Sequence, residues 1–360
     1  MILKTYQKYL IKLFTSIFFK ILFVFSALGI IMGVLEEINF FSEFDIRFYL
    51  PFFLVLINLP SLLYEIFPFI FLITSQFFFI NLSDTGEFNT LKNKGLNNFE
   101  ILKIISLIAF LSGIIIVVIF YNFSAILKFH YLDIKKEYTK DNKYLATVTE
   151  NGLWIKDEVD GKINFINSPS FTLNTLYDVD IIQLDENFNF IQNIKSSKAS
   201  IEKNQWILFN SKKIDKQNNI ESIEKSTFFS NFNYQGISNL FSNLSSLTIW
   251  KLLTLKDNYN ALKYSTIEID YHLQKIISYP FLITIITLLS SILMMNIKYQ
   301  KPKLFLIVLG ILFSVIIYYL NFLFGTLGKN EKIPLLMSIW IPIVVLTIIS
   351  IIGLVRINEK

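Results

Sequence analysis

The chain has no cysteine. That excludes a thiolate metal site, a disulfide framework and a cysteine nucleophile, so an exported segment would have core burial alone to hold it. Charge is scarce too: 17% of the residues are Asp, Glu, Lys or Arg, against about one quarter in a soluble chain. The two histidines, His130 and His272, are too few for a metal centre, which normally takes three or four protein ligands. Neither lies by a serine elbow of the kind a hydrolase needs. A phosphate-binding loop is missing as well. The nearest run, Gly325-Thr326-Leu327-Gly328-Lys329-Asn330, lacks the spacing and the hydroxyl that such a loop requires. The chain is therefore expected to be no enzyme, and to hold no metal and no cofactor.

What is abundant is apolar surface: 53% of the residues are hydrophobic, and 37 of the 360 are Phe. A helix crossing about 30 Å of hydrocarbon needs roughly 20 mostly apolar residues, and six stretches qualify. They run over about 13–35, 48–80, 101–121, 276–297, 304–324 and 334–355. The first is too long for a cleavable signal and has no small-residue cleavage site. The second is punctuated by Pro51, Pro60 and Pro68.

The formal charge of +5 comes with a distribution that speaks against a polyanion-binding patch. Between Tyr121 and Asp270 there are 17 Lys and 18 acidic residues, while the rest of the chain carries 16 basic and 10 acidic ones. The excess sits beside apolar segments, as topology signals do. Lys4, Lys8 and Lys12 precede the first span, Lys92, Lys94 and Lys103 lie between the second and third, Lys298, Lys301 and Lys303 between the fourth and fifth, and Arg356 and Lys360 after the sixth. Six spans place all of these on one side, so both termini are expected in the cytoplasm and the long segment between the third and fourth spans outside. The lysines at 4, 8 and 12 recur at helical spacing opposite Tyr6, Tyr9, Leu10 and Leu13. That stripe suits either a helix lying at the headgroups or an early start of the first span.

The outside segment of about 150 residues alternates at period two. Ile163 and Phe165, Phe171 and Leu173, Val179 and Ile181, and Phe188 and Phe190 are set against polar neighbours, with turn signals at Asp160-Gly161 and Asp185-Glu186-Asn187. Further strands are expected at 144–149, 152–156 and 205–209, and helices near 247–255 and 264–277. The predicted fold class is an α-helical polytopic membrane protein, three spans plus three, with an inserted periplasmic all-β domain of sandwich or jellyroll-like type. The divisions are 1–121, 122–270 and 271–360.

Between spans two and three, Asp84 followed by Glu87 reads as a helix start, and Gly95 fits the left-handed position that ends one. A cytoplasmic helix of about ten residues, near 84–95, is expected, with Phe88, Leu91 and Leu96 as a small apolar edge. It could rest on the headgroups, or it could dock into a cytoplasmic motor subunit that supplies the energy this chain cannot generate.

The residues of this region resemble a known family. Ser83, Glu87 and Gly95 are similar to the coupling-helix pattern of the LptF/LptG lipopolysaccharide-export permeases, S-x-x-x-E followed by a later glycine. The prolines Pro60 and Pro68 are similar to that family's second span. Gly152-Leu153-Trp154-Ile155-Lys156-Asp157 resembles the Gly-Leu-Trp strand that opens the β domain in LptG, and Phe324-Gly325, Pro334, Trp340 and Pro342 resemble the last two LptG spans. The order of these weak motifs covers essentially the whole chain.

The resemblance implies a permease subunit of an ABC transporter that extracts lipopolysaccharide from the inner membrane. Its implied partners are a paralogous permease, a dimeric cytoplasmic ATPase, a bitopic membrane protein with a β-jellyroll, and a periplasmic bridge. It implies that Glu87, Phe88, Leu91, Lys94 and Gly95 form the ATPase-coupling site. Relatives often place basic residues near the outer end of span one; Glu36 and Glu37 stand there instead, and Lys135 and Lys136 are the better candidates for lipid phosphates. Acyl chains would slide along Phe-rich inner strand faces. Two readings outside this one are a non-transporting membrane anchor or scaffold whose β domain binds a periplasmic protein, and an ABC permease for another lipid or lipoprotein.

Overall fold

The computed structural model describes residues 4–42, 44, 46–138, 153–159, 161–172, 175–217, 219–232, 243–261, 266–295 and 303–358. It divides into two compact units, 1–128 with 267–360, and 129–266.

The first unit is helical. Its elements are α1 (Thr5–Phe40), α2 (Tyr49–Asp84), the short α3 (Glu87–Asn93), α4 (Asn98–Ile115), one π-helical turn (Ile116–Phe120) leading into α5 (Tyr121–Glu137), and after the insertion α7 (Ile267–Met295), α8 (Lys303–Lys329) and α9 (Leu335–Asn358). Six of these helical stretches are long and apolar enough to cross a membrane: Thr5–Phe40, Tyr49–Asp84, Asn98–Lys135, Ile267–Met295, Leu304–Lys329 and Leu335–Ile357. With a 1.5 Å rise per residue, the 36-residue α1 is about 54 Å long. It starts at Thr5 without a break, so the lysine stripe belongs to the early start of the first span rather than to a separate surface helix. The fourth span is central, with 56% of its apolar window buried, while the first is peripheral, with 6%.

Phenylalanine zips α1 to α2. Phe14 meets Phe71 and Phe78 at ring distances of 6.3 and 5.7 Å, and Phe18 meets Phe71 at 4.9 Å. Prolines inside α2 deprive earlier carbonyls of their helical donor, and a neighbouring helix repairs one of these losses. Pro68 leaves the Tyr64 carbonyl without its N–H, and the Tyr279 hydroxyl of α7 donates to that oxygen. The two tyrosine rings stack at 4.7 Å. At the same level Phe67 packs against Phe120 of the π-helical turn, ring centres 5.0 Å apart. Gln76, fully buried in α2, donates to the carbonyl of Leu306 at 3.2 Å and so ties the second span to the fifth.

The third helical stretch continues past the expected end at Tyr121 to Glu137. Polar residues interrupt its apolar run, which hides it from a hydropathy reading. One face of α5 is nevertheless buried at helical spacing through Tyr121, Ala125, Leu132 and Lys135. The run 325–330 lies at the end of α8 and beyond it rather than in a phosphate loop. Gly325 there makes room for Tyr271, whose hydroxyl would collide with a Cβ.

The second unit contains β1 (Leu153–Val159), β2 (Lys162–Ser168), β3 (Ser170–Thr172), β4 (Thr175–Leu184), β5 (Phe190–Ser200), β6 (Gln205–Asp215) and β7 (Ile220–Phe229), followed by α6 (Ile249–Ala261). All strands join one antiparallel sheet in the order β1-β2-β4-β5-β6-β7, with β3 on β4. The expected strand at 144–149 lies outside the described residues. The sheet curls, because the residues just after β7 return to β1. Asp157 of β1 accepts from the Ser230 hydroxyl at 2.7 Å and from the Asn231 amide nitrogens at 3.1 and 2.9 Å.

Inside the roll, one registered row is aliphatic: Ile155, Ile166, Ile181 and Ile194. Trp206, fully buried, donates its indole N–H to the Phe232 carbonyl at 2.7 Å. The inner face is mainly aliphatic rather than Phe-rich: Phe188 and Phe190 are exposed and Phe165 is half-buried, while Phe228 and Phe232 are buried beside Trp206. In β2 the inward face is Asn164, Ile166 and Ser168, because Asn164 is paired in register with Asp157 on one side and Gln183 on the other. Gln183 donates to Asn164 at 2.7 Å, and Gln192 donates to Gln183. The side-chain amides satisfy one another, which lets a polar row sit inside.

Asp185 and Asp215 close two turns of one design. In each, Oδ1 accepts from the backbone N–H groups two and four residues on, at 2.7–2.9 Å, and Oδ2 accepts from the side chain of Asn189 or Asn219 at 3.0 Å. Those asparagine side chains, then the backbone amides, hold both carboxyls below the ordinary aspartate value of 3.8. A lowered folded-state pKa gives stability that is present above the ordinary value and is lost as pH falls through the folded one. The turns should therefore loosen only in acid below 3.8. Asn189→Ala and Asn219→Ala should each raise the titration of the facing carboxyl, read from carboxyl chemical shifts of the full chain in detergent. An unmoved titration would contradict this account.

Candidate functional site

The segment between the second and third spans holds most of the residues singled out for coupling. Asp84 does not cap α3: it is the last residue of α2. The long helix runs past Ile80 because Leu82, fully buried, still has core to fill. Thr85 and Gly86 then form a two-residue joint with Gly86 at φ +71°, and α3 spans seven residues rather than about ten. Its far end follows the sequence expectation closely. Gly95 is left-handed, φ +88°, its N–H bonds to the Lys92 carbonyl at 2.9 Å, and the Leu96 N–H bonds to the Leu91 carbonyl at 3.1 Å. This double closure satisfies carbonyls that the helix end would otherwise orphan.

A helix of seven residues is unstable by itself, so tertiary contacts must hold it. Phe88 and Leu91 face the chain's own core, with Phe88 edge-on to Phe79 at 6.3 Å. Lys92 lies over the Phe88 ring at 4.8 Å. Glu87, half-buried, accepts from the Tyr9 hydroxyl of α1 at 2.6 Å. The surface that α3 turns outward is polar: Asn89, Thr90, Lys92, Asn93, Lys94 and Gly95 are exposed. The neighbouring start of α4 is capped by Asn97, whose side chain accepts from the Glu100 N–H at 2.8 Å, and Asn98 reaches the Ile357 carbonyl of α9 at 3.2 Å.

The remaining candidates are scattered. Glu36 is exposed near the end of α1 and Glu37 beside it is buried. Lys135 is buried on α5, donating to the Tyr131 hydroxyl at 2.9 Å with its ammonium 5.2 Å from that ring. Lys136 lies on the same helix. Leu153 is buried in the β core and Trp154 is exposed on the opposite face of β1, while Gly152 lies outside the described residues.

Two polar pairs in the helical unit have no counterpart among the sequence expectations. Glu65 of α2 approaches Lys128 at 3.9 Å, and Tyr121 shares a 2.9 Å hydrogen bond with His272. A lone carboxylate inside a long apolar run was the available signal, since an ionisable group there needs a partner. Tyr9 was visible only as one tyrosine on a helix face.

Among the described residues, six helices long and apolar enough to cross a membrane, with an antiparallel sheet inserted between the third and fourth, define a multi-pass membrane protein. The sequence profile of the lipopolysaccharide export system permease LptF/LptG matches residues 8–356. The chain belongs to that family, and is a multi-pass inner-membrane permease rather than an enzyme. No curated protein matches the sequence.

Proposed function

We propose that this chain is one of two paralogous permease subunits of an ABC transporter that lifts lipopolysaccharide out of the inner membrane, in the LptG rather than the LptF position. The family match supports the cargo; the Leu153-Trp154 strand and the Trp340 and Pro342 pattern support the LptG assignment. Both termini and α3 are cytoplasmic in this reading, because the lysine-rich short loops share that side, and the inserted sheet is periplasmic. A dimeric ATPase supplies the energy. Lipid passes through the β domain to a bitopic partner and onward to a periplasmic bridge. Lys135 and Lys136 are offered as contacts for lipid phosphates.

The observation that carries the coupling role is α3 itself: a short helix, fastened from behind by Phe88, Leu91 and Glu87, with a polar face open to a soluble subunit. Purification with co-eluting partners, followed by an ATPase assay with and without lipopolysaccharide, tests the assignment. Glu87→Ala should weaken retention of the ATPase about tenfold or more, as loss of a charged interface contact does, while membrane insertion stays intact. Unchanged co-purification would remove α3 from the docking role.

A further inference from the structure

We propose that Tyr9 is a positioning residue: it latches the docking helix to the first span, so that a displacement imposed on α3 is delivered to α1 through the Tyr9–Glu87 pair. The inference rests on the docking role proposed for α3.

Tyr9 and Glu87 are 78 positions apart, yet the hydroxyl meets Oε2 at 2.6 Å. That is the short range expected of a hydroxyl on an ionised carboxylate, and such bonds are about twice as strong as neutral ones. A carboxylate has lone pairs to spare, so Glu87 can hold Tyr9 and still accept a donor from another subunit.

The mechanical setting gives the contact its meaning. Covalently, α3 follows α2, but the joint is only Thr85 and a left-handed Gly86, and α2 contains Pro60 and Pro68, which soften it as a lever. In contrast, α1 has no proline within its 36 residues. A motion entering near its N-terminal end is carried along an unbroken rod of about 54 Å. Only 6% of the α1 apolar window is buried, against 56% for the fourth span, and its packed neighbour near Tyr9 is α2, through Phe14 and Phe18. Tyr9 stands in the second turn of this rod. Without the hydrogen bond, force on α3 enters α2 first and reaches α1 only indirectly, through the Phe71 and Phe78 contacts with Phe14 and Phe18. With it, α3 also pulls directly on the second turn of α1.

The chain has no cysteine of its own to compete for a label. Spin labels on Lys8→Cys and Asn93→Cys, in the full complex with the ATPase, report the α1–α3 separation. Tyr9→Phe keeps the ring and removes the hydroxyl. It should broaden that distance distribution, leave the ATPase bound, and cut lipopolysaccharide released per ATP in reconstituted vesicles by about tenfold or more, the order of one hydrogen bond to a charged group. In complexes that still hold the ATPase, adding it to Glu87→Ala should lower release per ATP no further than Glu87→Ala alone, because the Tyr9 hydroxyl has already lost its acceptor. An unchanged distance distribution, release per ATP equal to wild type, or additive effects in the double variant would overturn the latch. Loss of the ATPase from Tyr9→Phe would overturn it too, since Tyr9 would then belong to the docking surface. Glu87→Ala alone distinguishes the two levels: if it retains the ATPase, the docking reading fails, while the spin-label distances still decide the α1–α3 tie.

Discussion

Asp157→Ala should open the curled sheet and destabilise the β unit by about 3–5 kcal/mol, the cost of stranding donors that shared one buried carboxylate. Asp157 is 1% exposed. Its Oδ2 accepts from the Ser230 hydroxyl and the Asn231 backbone N–H, and its Oδ1 from the Asn231 side chain. The Asn231 side chain also donates to the Glu158 carbonyl at 2.8 Å, so one short segment fastens the far end of the sheet to its first strand at several points. Alanine leaves the buried Ser230 hydroxyl and the Asn231 backbone N–H without this acceptor, while the exposed Asn231 side chain keeps the Glu158 carbonyl. Asparagine is little better, because its own NH2 would be turned toward groups that already donate. Hydrogen exchange of the full chain in detergent reads the outcome. The β1 and β7 amides should exchange about a hundredfold faster or more, in proportion to a loss near 3 kcal/mol. The helical unit, with its own core, should exchange as before. Unchanged protection of β1 would mean that strand pairing alone holds the roll.

How much of this was legible in the sequence depends on which physical signal each element carries. The six spans show themselves because a membrane demands long apolar runs, and nothing local competes with that demand. The continuation of the third helix to Glu137 does not, since α5 is held by a stripe of buried positions among polar ones, and averaging over a window erases a stripe. At α3 the glycine end was readable, because a left-handed backbone position selects glycine directly. The start was misread: the Asp84–Glu87 spacing matches a capping pattern, but burial of Leu82 extends the preceding helix through Asp84 and overrides it. In the sheet, alternation located the strands and gave the inward face of β4 through Val179 and Ile181, but not that of β2. Ile163 with Phe165 looks like the apolar side of β2, yet the register puts Asn164 and Ile166 inward, where Asp157, Gln183 and Ile181 await them. A polar row inside a roll is a property of cross-strand pairing, and no single strand announces it. The Tyr9–Glu87 contact is of the same kind: neither residue is unusual until the fold brings them together.

The second large effect is expected in the helical unit, at Gly113. A Cβ placed there would lie 2.8 Å from Pro280 Cα and 3.1 Å from its Cβ. Helices in a membrane gain little from hydrophobic expulsion, so they depend on close backbone approach at small residues. Here the third span meets the fourth, which is the most buried of the six. The obstacle is a proline backbone with a closed ring, not the tip of a side chain that could swing away. Gly113→Ala must push the helices apart by some tenths of an ångström, and Gly113→Val by more. Their costs should rise in that order, with valine at or above the roughly 1–3 kcal/mol of an overpacked core. Thermal unfolding in detergent measures it. The separation should also reach the adjoining contacts, Phe110 with Phe281 at 5.4 Å and Phe281 with Trp340 at 5.5 Å, so a Trp340 emission change should accompany the valine variant even below its unfolding temperature. The π-helical turn begins at Ile116, only three residues on. If valine were tolerated without loss of stability, the extra width would have to be absorbed in that turn, and the third span would bend there far more readily than its packing against Phe67 suggests.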